Sequence, residues 1–294
     1  IDLRLGDCLI ESDKIESGSV DLILTDLPYG TINGFNGIDW DFAIDPKSIY
    51  EIANRILRKN GKMVLFSQEP YTSKMINEAI ANIPLNYRMI WEKDHYANAL
   101  IAKKAPVSYF EDIIVFSKNH EFEGLHPLRP YFKQVFEYIG HTKKTILEQI
   151  GQRADHVFRF NSSQFDLCTV ETYEALIYFY GIDKMEGFKF YYELEKINAT
   201  FNATFNLWEG GKFKSNVLEY KKDYEGLHPT QKPVLLLEDL IKTFSNENDL
   251  VVDLTMGSGS TGVACKNTNR NFIGIEKDEK YFEIAVSRVS AYCG

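Results

Sequence analysis

Leu250-Val251-Val252-Asp253-Leu254-Thr255-Met256-Gly257-Ser258-Gly259-Ser260-Thr261-Gly262 is the stretch that decides how this chain folds. A short apolar strand runs directly into three glycines at G-x-G-x-x-G spacing, and helical spacing begins at Thr261. Glycine permits the tight turn and lets a ligand lie against the backbone, while the start of the following helix offers unpaired N–H groups to an anion. A second strand, residues 272–276, ends nineteen positions beyond Gly257 on Glu276, where a carboxylate can accept hydrogen bonds from a ribose diol. Strand, glycines, helix, strand and acid in this order describe a site for a nucleoside-containing cofactor. No Lys precedes Ser260 or Thr261, which excludes a Walker A loop, while a nicotinamide cofactor stays open on this motif alone.

The same α/β grammar appears at the other end of the chain. Residues 2–5, 20–25, 62–66, 87–91 and 113–116 read as strands; residues 46–58 and 70–81 place apolar side chains at i, i+3 and i+4 behind a proline, as amphipathic helices do. After Pro233 come a helix at 234–244, the two strands already described, and a last helix at 278–289. Two parallel strands are too few for a stable sheet, so the C-terminal pair is expected to insert beside the N-terminal strands in one doubly wound, mostly parallel sheet. Between about His120 and Glu225 the alternation fails and aromatics, charges and asparagines mix without a clean period, apart from helix-like pieces at 144–150 and 170–180. That region reads as a separate module, giving domains at 1–118 with 226–294 and at 119–225.

The 294 residues are 44% hydrophobic, the composition of an ordinary globular protein. No apolar run reaches the roughly 18 residues that a membrane span needs, and the first residues read as a strand rather than a signal peptide, so a cytoplasmic protein without membrane contact is expected. Cys8, Cys168, Cys265 and Cys293 are scattered without a CxxC pair or a partnered His, which argues against disulfides and against a metal site. A net charge of −9 does not advertise a nucleic-acid protein, so any contact with phosphate has to be a local patch.

Val20-Asp21-Leu22-Ile23-Leu24-Thr25-Asp26-Leu27-Pro28-Tyr29-Gly30 is a buried strand that delivers a carboxylate, a proline and an aromatic ring at its C-terminal edge, where open α/β sheets bind ligands. An exocyclic base amine is a poor nucleophile because its lone pair is delocalised into the ring. Hydrogen bonds to Asp26 and to the Leu27 carbonyl would draw both amine hydrogens out of the ring plane and concentrate the lone pair, while Tyr29 stacks on a base flipped out of a duplex.

Three segments in this order resemble the β-class DNA amino-methyltransferases, the family with an Asp-Pro-Pro-Tyr catalytic motif. They are Asp26-Leu27-Pro28-Tyr29, His228-Pro229-Thr230-Gln231-Lys232-Pro233, and Asp253 through Gly262. The resemblance covers residues 1–118 and 226–289. It implies a circularly permuted, seven-stranded sheet of the S-adenosylmethionine methyltransferase type with an inserted target-recognition module. It also implies a site-specific DNA adenine-N6 methyltransferase acting on a flipped-out adenine in double-stranded DNA with S-adenosylmethionine as methyl donor. The catalytic residues are then Asp26, Leu27, Pro28 and Tyr29. The cofactor residues are Asp7 and Cys8 at the adenine, Glu276 at the ribose, Thr230 and Lys232 at the methionine carboxylate, Asp253 at its amino group, and Gly257, Gly259 and Thr261 in the loop.

An Asp at the first motif position favours adenine; N4 of cytosine, or an amine in RNA, is the alternative. Two positions depart from the family: Leu27 replaces a proline, and Leu254-Thr255-Met256 replaces a Pro-Phe stretch, which predicts different packing at the methionine end of the cofactor. The partners that this family allows are a cognate restriction endonuclease and a second copy of the chain.

Residues 125–159 hold the one locally basic stretch, in which Arg129, Lys133, Lys143, Lys144, Arg153 and Arg159 stand with His126, His141 and His156 against Glu137, Glu148 and Asp155. Lys143, Lys144, Arg153, His156 and Arg159 are the expected DNA contacts there, a solvated helix face being the plainer reading of each. Trp40 is a further expected contact, or else a core anchor, at the end of a loop from Gly30 to Asp41 that could close over a flipped base.

Overall fold

The computed structural model describes residues 1–30, 43–97, 102–119, 126–160, 162, 164–199, 201, 203–207, 211–223 and 231–291. They fall into two compact units, residues 1–119 with 203–294, and residues 120–202. The strands among the described residues are β1 (Asp2–Leu5), β2 (Val20–Asp26), β3 (Leu57–Ser67), β4 (Leu85–Ala97), β5 (Ser108–Ser117), β6 (Val217–Glu219), β7 (Leu250–Asp253) and β8 (Asn271–Glu276). The helices are α1 (Cys8–Glu11), α2 (Pro46–Ile56), α3 (Tyr71–Asn77), α4 (Leu128–Ile139), α5 (Lys143–Ile150), α6 (Val170–Tyr180), α7 (Tyr191–Ala199), α8 (Val234–Phe244), α9 (Ser260–Asn267) and α10 (Glu279–Ala291). None of them is long and apolar enough to cross a membrane.

All eight strands form one sheet in the order β1-β8-β7-β2-β3-β5-β4-β6. Every neighbouring pair is parallel except the two that β5 makes. The C-terminal strands do insert beside the N-terminal ones, β7 against β2 through Leu22↔Val251 and Ile23↔Val252. A sheet covered on both faces needs strands apolar on both faces. In β2, Leu22 and Leu24 pack with Leu236, Leu237, Leu240 and Ile241 of α8, while Ile23 packs with Ile49, Tyr50, Ala53 and Ile56 of α2.

The sheet has eight strands where the family resemblance implied seven. The addition is β6, three residues long, which pairs with β4 from Ile90↔Val217 to Glu92↔Glu219 and is too short to announce itself by periodicity. Residues 203–223 accordingly belong to the sheet unit and not to the module that the sequence placed at 119–225. Asn206 anchors this strap: its side-chain amide donates to the Lys242 and Ser245 carbonyls at 3.0 and 3.1 Å, at the end of α8. Helix α2 also stops two residues early, because Leu57 opens β3 and Arg58 turns inward to meet Asp21.

The second unit contains α4 to α7 around its own core of Phe132, Val135, Ile146, Phe165, Tyr173, Leu176 and Leu194. Both α4 and α6 end on a left-handed glycine, Gly140 and Gly181, where a side chain would be strained.

Asp21 ties three strands of the sheet together. It pairs with Arg58 Nε of β3 at 2.5 Å and accepts the Leu250 N–H of β7 at 2.8 Å. Breaking a buried pair strands its partner, so Asp21→Ala should lower the unfolding free energy by about 3 kcal/mol. The double variant with Arg58→Met should recover part of that loss. Urea denaturation reads both, and a loss below about 1 kcal/mol in the single variant would contradict this role.

Candidate active site

From β2 the chain moves through α2 to β3 on one side, and from β7 it moves through α9 to β8 on the other, so the sheet order reverses between β2 and β7. A crevice opens beyond the strand ends at such a switch point. Here it is a cavity of about 970 Å³, at the upper end of the roughly 300–1,000 Å³ typical of small-molecule sites. Asp7, Cys8, Asp26, Leu27, Pro28, Tyr29, Lys232, Asp253, Gly257, Thr261 and Glu276 all line it. Residues predicted from opposite ends of the sequence therefore meet on one wall.

At one end, Asp7 caps α1 by accepting the Leu9 N–H at 3.0 Å and pairs with Lys277 at 2.9 Å. Lys277 holds the Asp7 carboxyl below its ordinary value. Glu276 accepts the Gly257 and Asp278 N–H groups, each at 2.8 Å, which locks the glycine turn to the end of β8. A carboxylate offers about four lone-pair positions, so both acids retain capacity for a ligand. Gly257 takes the left-handed conformation at φ 51°. Gly259 does not itself line the cavity, and a Cβ there would lie 3.0 Å from that of Ala285 in α10.

In the middle of the cavity, Asp253 is buried and accepts from Thr25 Oγ1 (2.8 Å), Thr261 Oγ1 (2.6 Å) and the Thr255 N–H (3.1 Å). All three donors are neutral. Burial pushes the carboxyl up to about 6 against these hydrogen bonds. Thr255 also donates to the Asp26 carbonyl at 2.9 Å, joining the cofactor loop to the end of β2.

Beyond it, Asp26 accepts from the Tyr29 hydroxyl on one oxygen and from Lys232 Nζ on the other. Lys232 lies 3.2 Å from Glu111 Oε2, and Lys93 bonds the other Glu111 oxygen. Gln68 donates to that oxygen at 3.4 Å. Phe66 and Trp91 lie under the two ammonium groups, at 5.1 and 5.0 Å from Lys232 and Lys93, a favourable arrangement for a cation. Two acids and two bases thus form a buried cluster. Burial raises the Asp26 carboxyl above its ordinary value despite Lys232. Burial works the same way on Glu111, but Lys232 and Lys93 together hold it below its ordinary value. The Lys232 ammonium is desolvated yet stabilised by both acids, with its pKa raised.

Glu111, Lys93, Gln68 and Thr255 were missed in the sequence. The signal for Glu111 was a pair of acids, Glu111-Asp112, leading into the apolar run Ile113 to Phe116, unusual residues for a central strand. Lys232, expected at a cofactor carboxylate, lines the cavity and is bonded to Asp26.

The expected DNA contacts in the second unit mostly serve other partners. Lys143 and Arg159 both close on Asp155, at 2.5 and 2.6 Å, Lys144 stands 4.0 Å from Glu148, and His156 Nδ1 lies 3.3 Å from the Gln164 carbonyl. Arg153 is exposed. Arg129 is buried and donates to the Phe160 and Ser162 carbonyls, a structural role. Trp40, Thr230 and the loop after Gly30 lie outside the described residues.

Residues 20–287 match the pattern of the N6/N4 DNA methylase family. The chain is similar to the DNA adenine methyltransferase YhdJ of Escherichia coli (strain K12), with 27% identity over 297 residues, 97% of this chain and 81% of the relative. Among solved structures it resembles M1.HpyAVI in its SAM complex, at TM-score 0.54 and 18% identity over 98% of each chain. It also resembles the cytosine-N4-specific PvuII DNA methyltransferase, at TM-score 0.55 and 14% identity over 97% of this chain and 85% of that one. At these identities the two structures speak for the fold alone. The family match spans most of the chain and includes both the Asp26 strand end and the Gly257 loop: the chain belongs to the N6/N4 DNA methylases.

Proposed function

We propose that this chain methylates N6 of adenine at a specific site in duplex DNA, taking the methyl group from S-adenosylmethionine. The observation that carries the proposal is the Asp26 carboxylate, held between Tyr29 and Lys232 on the wall of the same cavity as Asp253, Gly257 and Glu276. The cavity fits the donor. Asp253 is a buried acid with only neutral hydrogen-bond donors, the setting in which the ammonium of a bound amino acid is welcome, and Glu276 and Asp7 stand at the nucleoside end. When bound there, S-adenosylmethionine supplies an electrophilic methyl group.

The protein's part is to prepare the nucleophile. Asp26 and the Leu27 carbonyl accept the two amine hydrogens of a flipped base, and the lone pair turns toward the methyl group. Once the nitrogen carries the methyl it must shed a proton, and Asp26 is positioned to receive it. A carboxyl whose pKa is raised by burial is a better base for that step than an exposed one. Leu27 in place of proline keeps the carbonyl, and the Thr255 bond to the Asp26 carbonyl supplies rigidity from a neighbouring strand. Residues 120–202 are proposed to hold the target-recognition module.

A second reading, N4 of cytosine, uses the same chemistry; the fold is shared with a cytosine-N4-specific enzyme. The Asp at the first motif position and the similarity to an adenine methyltransferase support adenine.

Incubation with radiolabelled S-adenosylmethionine and unmethylated duplex DNA, followed by digestion to nucleosides, should place the label in N6-methyl-2′-deoxyadenosine. Label in N4-methylcytosine would overturn the choice of base, and no label would overturn the function. Asp26→Ala should abolish labelling while retaining S-adenosylmethionine binding by calorimetry.

Asp26 works as an acceptor only when ionised, so turnover falls as pH drops through its folded pKa, which lies above the ordinary carboxylate range. Lys232→Met removes the cation that opposes this rise. At saturating cofactor, the acid limb of kcat should move up by about one pH unit or more; an unmoved limb would show that Lys232 does not govern Asp26.

Binding of an ammonium beside Asp253 requires the ionised acid. S-adenosylmethionine affinity should therefore fall by up to about tenfold per unit as pH drops below about 6, and Asp253→Asn should flatten that dependence.

A further inference from the structure

Strands β4 and β5 outrun their neighbours. The last β3–β5 pair is Ser67↔Asp112 and the last β4–β6 pair is Glu92↔Glu219, yet β4 and β5 go on to pair with each other as far as Ala97↔Ser108. The extension is a two-stranded ribbon projecting past the C-terminal edge of the sheet, and its register shifts between Glu92 and Ala97. Bulges of this kind re-aim side chains and concentrate beside active sites.

The ribbon carries apolar surface that the fold does not use. Tyr96 and Tyr109 contact each other with ring centroids 6.0 Å apart, yet remain 53% and 51% exposed, and Phe110 beside them is 47% exposed. Lys103 and Lys104, at the turn, are exposed as well. Asp94, within the ribbon, is turned toward His95 Nδ1 at 3.0 Å and the Lys222 N–H at 3.3 Å, while Glu92 at its base is exposed.

Position tells what this surface faces. The cofactor-side acids sit on β1, β8 and β7, to one side of Asp26. On the other side the cavity is walled by Gln68, Trp91, Lys93, His95 and Tyr96 along β3 and β4. A base that reaches Asp26 while the cofactor fills the first end has to enter from the second, over His95 and Tyr96.

Resting on the function proposed above, we propose that the β4–β5 ribbon docks on the DNA duplex next to the extruded base. Tyr96 and Tyr109 cover the exposed base stack, and Lys103 and Lys104 hold flanking phosphates. Tyrosine faces stack on any base, and paired lysines suit phosphate. A second copy of the chain is the poorer occupant, since a two-fold contact at the ribbon would set one Lys103–Lys104 pair against another.

Fluorescence anisotropy on a labelled duplex, with the non-reactive S-adenosylmethionine analogue sinefungin present, tests this without relying on turnover. Tyr96→Ala/Tyr109→Ala should weaken duplex binding about tenfold or more, with sinefungin affinity unchanged, and Tyr96→Phe/Tyr109→Phe should restore it. Lys103→Ala/Lys104→Ala should reduce the slope of log K against log salt by about 2. Unchanged duplex binding and salt slope in these variants, or a change confined to oligomeric state in sedimentation, would overturn the ribbon proposal alone. A wild-type chain that neither binds duplex nor labels it would overturn the functional proposal and this one with it.

Discussion

Lys232 Nζ sits where two carboxylates from different strands converge, Asp26 at the end of β2 and Glu111 in β5, with Lys232 and Glu111 buried and Asp26 half-buried. At an effective dielectric of about 20, two like charges about 4 Å apart repel by about 4 kcal/mol, and an interposed cation reverses the sign of the dominant contacts. One ammonium cannot neutralise two acids. Lys93, bonded to the far oxygen of Glu111, supplies the second charge, and the rings of Phe66 and Trp91 stand in for the water that both lysines have lost. The result is a neutral cluster whose members are unequal. Glu111 has two cations and is held acidic, whereas Asp26 has one, and burial leaves it the more basic. That asymmetry selects which acid can take a proton.

The cluster is coupled to the cofactor loop through backbone and threonine hydroxyls. Thr255 donates to the Asp26 carbonyl and stands 3.0 Å from Thr25 Oγ1, which in turn donates to Asp253. The carboxylate on β2 and the buried acid on β7 are therefore tied across adjacent strands. The departure at Leu254-Thr255-Met256 has a physical content here. Thr255 furnishes the cross-link, and Met256 is buried against Gly274, where a Cβ would come within 2.4 Å of its sulfur. Packing at this end of the loop is thus set by a Met–Gly pair.

What was legible in the sequence were features encoded by local pattern. The buried runs of β2 and β7 show as uninterrupted apolar stretches, and the glycine turn and Glu276 show by spacing, so the strands, the switch point and most of the cavity wall could be placed before any coordinates. Helix α4 was equally encoded, with Leu128, Phe132, Val135 and Ile139 on one face, but flanking charges and Pro130 obscured it. Proline in a first helical turn is tolerated. The buried cluster was not legible, because Glu111 and Lys93 acquire their meaning only from the register of β5 between β3 and β4. The same holds for the packing of Gly259: its spacing matched a cofactor loop, and its neighbour is Ala285 of α10. Basic residues misled for a related reason, since sequence counts charges without showing which acid each one has found.

Charge sets a further constraint on how such a protein could meet a polyanion. The chain as a whole carries −9, and residues 120–202 hold nine Lys and Arg against twelve Asp and Glu. Beyond a Debye length of about 8 Å, phosphate is met by a weak repulsive field rather than a steering one. Attraction has to arise within that distance, where individual groups are resolved. In the second unit, Asp155 gathers both Lys143 and Arg159, leaving one excess positive charge on two side chains whose positions are already ordered. In the sheet unit, the exposed Lys103 and Lys104 lie on a ribbon that projects away from the sheet and from its buried acids. Recognition built on such isolated cations is short-ranged, which favours discrimination at contact over rapid capture from a distance.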